Sequence, residues 1–483
     1  MRKGASTINL YRGGAGTLEM LVATSVLLMS ITGVIIVVFG NQSLAVDIQT
    51  NQEALKKAEY LLEEVVAASQ ENFSSVSSET ETDDIYTKEL RVTDSTSCRK
   101  EVVARVSWTT DTRALAVELV STMTDIAGTL LVGGDCDASP PTGDWSSPQT
   151  LGHIDAGPGN EATGIDVFNK IVYLTAEASD PAKDDFFTID AADGASPVIL
   201  ASLNTGPGLN AVDTARDPVT GARYAYVANN DTSSQLQIID VTDPSSPVLV
   251  SSSDLAGASG TNSEGRSIFY YDQKVFVGSN YLPSLGMPRP EFHIFDVSDP
   301  ASPAQLGQLD VNHNISAIIV RGDYAYLATS DNNGEVWVVD VSNPAAPAGM
   351  STFDAVGSED GTSIYLVGNT LYLGRRHGAS GRPDFYILNV QNPAAITVRG
   401  AINLGMSPSI ARVFGIRVSG RFAFLATGDS NEEFQVYDIS NPASIVHIST
   451  FDFPQAATAI DYEDNLIYSA VRSNDALRII YSP

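Results

Sequence analysis

The chain has 483 residues and a formal net charge of −30, with 58 acidic against 28 basic side chains. This length exceeds that of one ordinary compact domain, so at least two structural units are expected. The acidic charge repels polyanions, and no nucleic acid is therefore expected among the ligands.

An uncharged apolar run occupies residues 20–40, which is long enough for one helix to cross the hydrocarbon core of a membrane. Arg2, Lys3 and Arg12 precede it, so the positive-inside rule predicts a cytoplasmic start and an exterior remainder. A plain anchor and a cleavable signal both fit this pattern. The sequence therefore predicts a single-pass protein of the cytoplasmic membrane with an exterior C-terminus.

The stretch from Gly14 to Ala23, GAGTLEMLVA, resembles the signal of type IV pilins and pseudopilins, which has a glycine followed five residues later by a carboxylate. The resemblance implies that prepilin peptidase cuts after Gly14 and methylates Ala15, where the family usually has phenylalanine. It also implies that Glu19 is an assembly residue that contacts the amino terminus of a neighbouring pilin subunit. The alternative is that Glu19 is an acid favoured by the dipole at a helix N-terminus.

Apolar residues continue at helical spacing through residues 41–73 without proline or glycine, which predicts one helix from about residue 17 to 73. By the pilin resemblance, residues 1–14 are the leader and residues 15–73 the spine. Three alternating runs between residues 85 and 133 predict strands, so residues 74–133 are expected to form a small β head.

Cys98 and Cys136 flank the last two of these predicted strands, and in an oxidising compartment they are able to form a disulfide. A reactive or metal-binding thiol pair is the alternative, although no nearby histidine or CxxC spacing supports it. The segment that follows is rich in glycine and proline, so residues 134–146 are expected to be a linker.

Residues 147–483 are internally repetitive, and repeats are the strongest fold signal in the chain. Each unit ends a strand at an Asx residue and then turns at an Asx-Pro or related pair, as in IIDVTDPSSP, IFDVSDPASP and VVDVSNPAAP. These units resemble the LVIVD repeat, which implies a β-propeller. The strand-ending side chains are expected to be structural turn residues: Asp190, Asp240, Asp296, Asp340, Asn389 and Asp438.

The number of strands predicts seven blades of four strands each. The chain ends in a third strand without a fourth, whereas residues 148–155 form a strand that lacks a blade. Pairing of these two segments is expected to close the ring. The overall expectation is a mainly β protein with a long N-terminal pilin-type α-helix, a small β-sheet head and a seven-bladed β-propeller.

The loops that join one blade to the next are the best place for a ligand, because loops on a rigid scaffold carry most binding residues. The candidate residues of this funnel are Asn160, Asn210, Glu264, Arg266, Asn314 and Asp360. No catalytic constellation and no metal site is readable in the chain, and no cofactor is expected. Calcium stays an alternative, because the loops at residues 330–335 and 428–433 are rich in oxygen ligands.

These features favour a minor pilin or pilus-tip protein that displays a propeller for adhesion or for binding of a protein or glycan. Its expected partners are other pilin subunits, prepilin peptidase, the cytoplasmic membrane and an unknown extracellular ligand. A pseudopilin of a secretion system is the first alternative. A surface-displayed propeller enzyme is the second.

Overall fold

The structure is a computed structural model of the chain. It describes residues 44–71, 73, 76–83, 85–96, 99–110, 113–124, 141–157, 159–178, 180, 182–255, 263–282, 289–378, 381–408 and 411–483. The chain divides into two compact units, Met1–Thr129 and Leu130–Pro483.

The described residues of the first unit form one α-helix and one antiparallel sheet. Helix α1 is Leu44–Glu71, and the sheet has the order β1-β2-β3-β4, with β1 at Glu79–Asp83, β2 at Tyr86–Thr96, β3 at Arg99–Thr110 and β4 at Arg113–Thr124. Ala54, Ala58, Leu61 and Val65 form the buried face of α1 and belong to one core with side chains of the sheet. The sheet thus has one strand more than the sequence predicted.

The predicted fold class is wrong in its N-terminal part. It required a long pilin-type helix with a small head, whereas the described residues are nearly all β and their longest helix is α1, with 28 residues. The reason is the amphipathic character of α1, whose exposed side includes Glu59, Glu63 and Glu64. Such a helix covers one face of a sheet and is not an apolar spine.

The predicted single-pass membrane localisation is also corrected. Across the part of the chain that the structure describes, no helix combines the length and the apolar character needed to span a membrane. The signal residues Gly14, Ala15 and Glu19, the apolar run 20–40, and both cysteines, Cys98 and Cys136, lie outside the described residues.

The second unit is a ring of seven four-stranded antiparallel sheets, here called blades 1 to 7. Blade 1 consists of β6 (Asn160–Phe168), β7 (Ile171–Ala178), β8 (Phe186–Asp190) and β9 (Val198–Leu203). Blade 2 consists of β10 (Leu209–Arg216), β11 (Arg223–Asn229), β12 (Leu236–Asp240) and β13 (Val248–Ser253). Blade 3 consists of β14 (Gly265–Tyr271), β15 (Lys274–Ser279), β16 (Phe292–Asp296) and β17 (Ala304–Leu309).

Blades 4 to 7 repeat this plan. Blade 4 consists of β18 (Ile315–Arg321), β19 (Tyr324–Thr329), β20 (Val336–Asp340) and β21 (Ala348–Phe353). Blade 5 consists of β22 (Gly361–Val367), β23 (Thr370–Arg375), β24 (Phe385–Asn389) and β25 (Thr397–Ile402). Blade 6 consists of β26 (Val413–Ser419), β27 (Phe422–Thr427), β28 (Phe434–Asp438) and β29 (Val446–Phe451). Blade 7 consists of β30 (Ala457–Glu463), β31 (Leu466–Val471), β32 (Asp475–Tyr481) and β5 (Gln149–Asp155).

The ring closes through the pairing that the sequence predicted. Strand β32, the last of the chain, pairs antiparallel with β5, with Arg478 opposite His153. The first strands of the blades contact one another in turn from β6 to β30, and β30 contacts β6 again. Seven blades are therefore confirmed, and the closure protects the strand edges.

The strands of a blade differ in burial. The second and third strands are almost wholly buried, as in β27 and β28, because neighbouring blades cover both of their faces. The fourth strands are mostly exposed, as in β13. Buried polar residues precede several third strands, and Glu335 accepts the backbone N–H of Ala355 at 2.7 Å. The same bond links Glu291 to Val311 and Glu433 to Phe453.

The Asx residues of the repeat are turn residues, as predicted. The side chain of Asp240 accepts the backbone N–H of Thr242 at 2.9 Å, and Asp296 and Asp340 make the same bond two residues on. The turn also sets the distance between blades. A Cβ added to Gly307 in blade 3 would lie 2.2 Å from the carbonyl oxygen of Pro344, so only glycine fits there.

Candidate functional site

The first strands of all seven blades line a central channel, which contains a cavity of about 290 Å³. Register places their side chains in layers along this channel. One layer is aliphatic and consists of one branched side chain from each blade: Ile165, Val212, Ile268, Ile318, Ile364, Ile416 and Ile460. Most polar residues of the cavity lie nearer the start of the strands, and a charged layer, whose Arg417 also lines the cavity, follows the aliphatic one.

Most of the polar side chains in the cavity wall already bond between blades. The Thr163 hydroxyl donates to the carbonyl oxygen of Leu209 at 2.6 Å, and the Thr362 hydroxyl donates to that of Val413 at 2.6 Å. The Thr458 hydroxyl donates to the carbonyl oxygen of Ala162 at 2.8 Å. These hydroxyl groups donate hydrogen bonds between neighbouring blades. Few uncharged hydrogen-bond donors of the cavity wall therefore remain for a ligand.

Four arginines surround the opening of the cavity at the start of the first strands. We call this group the arginine mouth: Arg266, Arg376, Arg412 and Arg472. All four are exposed, and three of them line the cavity itself. Among the described residues that line the cavity there is no aspartate or glutamate. The mouth is thus a cationic opening in a strongly acidic protein.

Three of these arginines have an acidic neighbour at ion-pair distance, but beyond hydrogen-bond distance. Arg266 lies 3.8 Å from Glu264, Arg376 lies 3.7 Å from Asp360, and Arg472 lies 3.8 Å from Glu161. These distances exceed those of a hydrogen bond. Exposed pairs of this kind contribute about 0 to 1 kcal/mol, so the guanidinium donors stay available to a ligand.

Arg412 has no ion pair and no side-chain hydrogen bond to any other residue that the structure describes. Its guanidinium lies 5.3 Å from the ring centre of Phe414. Partial removal from water lowers the pKa of Arg412, and the positive charges of Arg376, Arg472 and Arg266 lower it further, against the opposing effect of Asp360. An arginine remains protonated under these conditions, so Arg412 carries a positive charge that no ion pair neutralises within the described residues.

The far side of the aliphatic layer has the opposite character. We call it the carboxylate layer: Asp166, Asp213 and Asp461, with Arg417. Each aspartate accepts a backbone N–H of the next blade: Asp461 from Val167 at 2.8 Å, Asp166 from Thr214 at 2.8 Å, and Asp213 from Tyr270 at 2.6 Å. Arg417 Nε donates to Asp461 at 2.7 Å. This layer ties blades 6, 7, 1, 2 and 3 together.

Burial controls the ionisation of the carboxylate layer. Burial raises the pKa of Asp213 to about 6, and its backbone bond from Tyr270 opposes that change. Burial also raises the pKa of Asp166 well above its ordinary value, and the charges of Asp461 and Asp213 add to the effect. The pKa of Arg417 is raised by Asp461, although burial opposes it.

The structure brings some of the predicted funnel residues to the mouth and not others. Asn210 and Arg266 line the cavity, and the Asn210 amide donates to the carbonyl oxygen of Gly265 at 2.6 Å. Glu264 and Asp360 stand beside arginines of the mouth.

Two other funnel residues stabilise loops. The Asn160 amide donates to the carbonyl oxygen of Ala156, and Asn314 accepts the backbone N–H of Tyr281, both at 2.8 Å.

The two loops considered for calcium use their acids for turns. Asp331 accepts the backbone N–H of Asn333 at 2.9 Å and the indole N–H of Trp337 at 3.0 Å. Asp429 accepts the backbone N–H groups of Ser407 and Asn431 at 2.6 and 2.9 Å. Within the described ranges, no group of three or more histidine, cysteine or acidic residues is placed to hold a metal ion.

Sequence analysis missed three arginines of the mouth. Arg376 and Arg472 directly follow the second strands of blades 5 and 7, and Arg412 directly precedes the first strand of blade 6. In blades 2 to 7, a backbone hydrogen bond joins the residue after the second strand to the residue before the first strand, as between Arg376 N–H and the carbonyl oxygen of Asp360. Aligning the second strands of the repeats would have shown that a basic residue directly follows this strand in blades 5 and 7. Basic residues are rare in so acidic a chain.

Comparison with known proteins agrees with the ring. Residues 219–254, 289–311, 314–355 and 412–452 match the LVIVD repeat. The ring is a β-propeller, and these four segments of it are similar to the LVIVD repeat. A chain in the crystal structure of a mitotic checkpoint complex is similar at a TM-score of 0.50 and 14% identity, over 72% of this chain and 95% of that one.

The WD40 β-propeller domain of Doa1 is similar at a TM-score of 0.50 and 11% identity, over 70% of this chain and 98% of that domain. At these identities the likeness concerns the propeller fold alone. No curated protein matches the sequence.

Proposed function

We propose that this chain is a binding protein, not an enzyme, and that its propeller holds a protein or glycan ligand at the channel opening. The observation that carries the proposal is the cavity of about 290 Å³, which all seven first strands line. This volume lies near the lower limit for small-molecule sites, so it fits one sugar unit or one side chain of a larger ligand.

The composition of the cavity favours binding over catalysis. Its lining contains serine, threonine and arginine, but no histidine, cysteine or carboxylate among the described residues. General acid–base catalysis needs a group that exchanges a proton near neutral pH, and arginine and hydroxyl side chains do not supply one. Binding of a ligand, in contrast, requires only hydrogen-bond donors that a rigid fold holds in place.

Blocking the cavity tests this proposal. Ser316 is an exposed lining residue of blade 4, so Ser316→Trp would fill the opening without disturbing the bonds between blades. The full chain would be measured by biolayer interferometry against immobilised dextran, cellulose oligomers, alginate and polygalacturonate. We expect at least one polymer to bind, and the variant to lose about tenfold or more in affinity.

Val219→Trp is the matched control. Val219 is 83% exposed in the turn between β10 and β11, at the other end of the first strand from the opening. The Val219→Trp variant should bind the polymers as the parent protein does. If no polymer binds the folded chain, or if both variants weaken binding equally, the opening is not the binding site.

The finer role predicted from the sequence, a minor pilin, pilus-tip protein or pseudopilin, depends on the signal around Gly14 and Glu19. Those residues lie outside the described residues, and the role is not part of this proposal.

A further inference from the structure

The positive charge of the arginine mouth limits the chemical classes of ligand that the opening attracts. The positive charges of Arg266, Arg376 and Arg472 all act electrostatically on Arg412, the fourth arginine of the mouth. Four guanidinium groups at this opening face the carboxylates of Glu264, Asp360 and Glu161 in the described ion pairs, so an excess positive charge remains that a bound anion would neutralise. The chain as a whole has few basic residues, so their grouping here is not a result of composition.

The remaining donors of the cavity do not compete with these arginines. Thr163, Thr362 and Thr458 donate to carbonyl oxygens of neighbouring blades. The acids nearest to Arg266 and Arg472 stand 3.8 Å away and form no hydrogen bond with them. The planar guanidinium group matches a carboxylate through two parallel N–H bonds, which an ammonium group cannot form.

We propose that the arginine mouth binds a ligand that carries two or more carboxylates, either as a free polycarboxylate or as the uronate units of a glycan. This inference rests on the proposed function and names the ligand chemistry of the same site. Arg412 would form the central contact, because it makes no ion pair with any acid that the structure describes. Arg376 and Arg472 would bind a second carboxylate at the rim.

The test uses isothermal titration calorimetry of the full chain with three probes: citrate, trigalacturonate and the neutral maltotriose. Citrate represents the free polycarboxylate and trigalacturonate the uronate glycan. We expect one or both to bind and maltotriose not to bind. Arg412→Gln should weaken the binding about tenfold or more, because it removes a charge-assisted bond. Raising the NaCl concentration should also weaken it.

Arg421→Gln is the matched control. Arg421 is an exposed arginine that pairs with Asp438 at 3.2 Å, and it lies beyond the other end of β26 from Arg412. It changes the net charge by the same amount, so an effect of overall charge would appear in both variants. Equal weakening by Arg412→Gln and Arg421→Gln would overturn the inference.

The outcomes separate this inference from the proposed function. If maltotriose or a neutral polymer binds, and Ser316→Trp abolishes that binding while Arg412→Gln does not, the opening is a binding site but the anionic ligand is wrong. If citrate and trigalacturonate both fail to bind the folded chain, the inference also falls. The polymer measurements then decide on the proposed function alone.

Discussion

The carboxylate layer and the arginine mouth lie at the two ends of the channel and differ in how their charges are bonded. In the carboxylate layer, each aspartate accepts a backbone N–H of the next blade within 2.8 Å, and Arg417 bonds Asp461 at 2.7 Å. In the arginine mouth, the shortest ion pair is 3.7 Å and Arg412 has no acidic partner among the described residues. The charges of the carboxylate layer are thus hydrogen-bonded to the fold, whereas the ion pairs of the mouth are longer than a hydrogen bond.

The largest effect is expected from removing the one cation of the carboxylate layer. Arg417→Met would remove the cation that bonds Asp461 and that lowers the pKa values of Asp166 and Asp213. Removing one partner of a largely buried pair typically costs about 3 kcal/mol or more of unfolding free energy. We expect a clear drop in the midpoint of urea unfolding, followed by circular dichroism.

The control for this variant is Arg421→Met. The Arg421 side chain is 54% exposed, whereas that of Arg417 is 27% exposed. Exposed ion pairs contribute about 0 to 1 kcal/mol, so the control should unfold close to the parent protein. Similar unfolding midpoints for Arg417→Met and the parent protein would show that the carboxylate layer does not stabilise the ring.

A smaller effect, which depends on pH, is expected from Asp213→Asn. Burial raises the pKa of Asp213 to about 6, so the folded state holds this proton more tightly than the unfolded state does. The resulting stability is complete at low pH and is lost as the pH rises through about 6. Asparagine keeps an oxygen for the Tyr270 N–H and cannot ionise.

The Asp213→Asn variant should therefore be more stable than the parent protein at about pH 8, by on the order of 1 kcal/mol. The difference should shrink as the pH falls towards 4. Unfolding midpoints across this range measure it, with Asp240→Asn as the control, since Asp240 lies in an outer turn and bonds Thr242. A difference that does not change with pH would contradict the raised pKa of Asp213.

A still smaller effect is expected from an acid at the mouth. Glu161 is half exposed and lies 3.8 Å from Arg472. Because Glu161→Gln removes a carboxylate that competes with the ligand, we expect the affinity for citrate or trigalacturonate to rise about threefold, within the range of exposed ion pairs. Calorimetry measures the change. Weaker binding would mean that Glu161 itself contacts the ligand.

The repeats made the ring predictable from sequence. The Asx-Pro turns recur after the third strands of blades 2 to 6, and the incomplete units at residues 148–155 and 475–481 supply one another's missing strand. The sheet of the first unit was less readable. Strand β1, ETETD, has no apolar residue and is almost fully exposed, so no alternating pattern reveals it.

The candidate site was only half predictable. Asn210 and Arg266 were found because they lie at the start of first strands, next to the loops that join the blades. Arg376, Arg412 and Arg472 are far apart in sequence and come together only when the ring closes. The carboxylate layer was missed for a related reason: Asp166, Asp213 and Asp461 interrupt apolar strands, and their bonds reach into the neighbouring blade.

The smallest effect on stability is expected from Arg412→Met. Arg412 directly precedes β26, the strand that contains Arg417, the site of the most damaging variant. The change removes a contact with Phe414, for which cation–π interactions contribute about 0.5 to 1 kcal/mol at exposed sites. It also relieves repulsion from Arg376, Arg472 and Arg266, which acts in the opposite direction. The unfolding free energy should therefore stay within about 0.5 kcal/mol of that of the parent protein. A loss as large as that of Arg417→Met would show that Arg412 is a structural residue, and the contrast between the two ends of the channel would disappear.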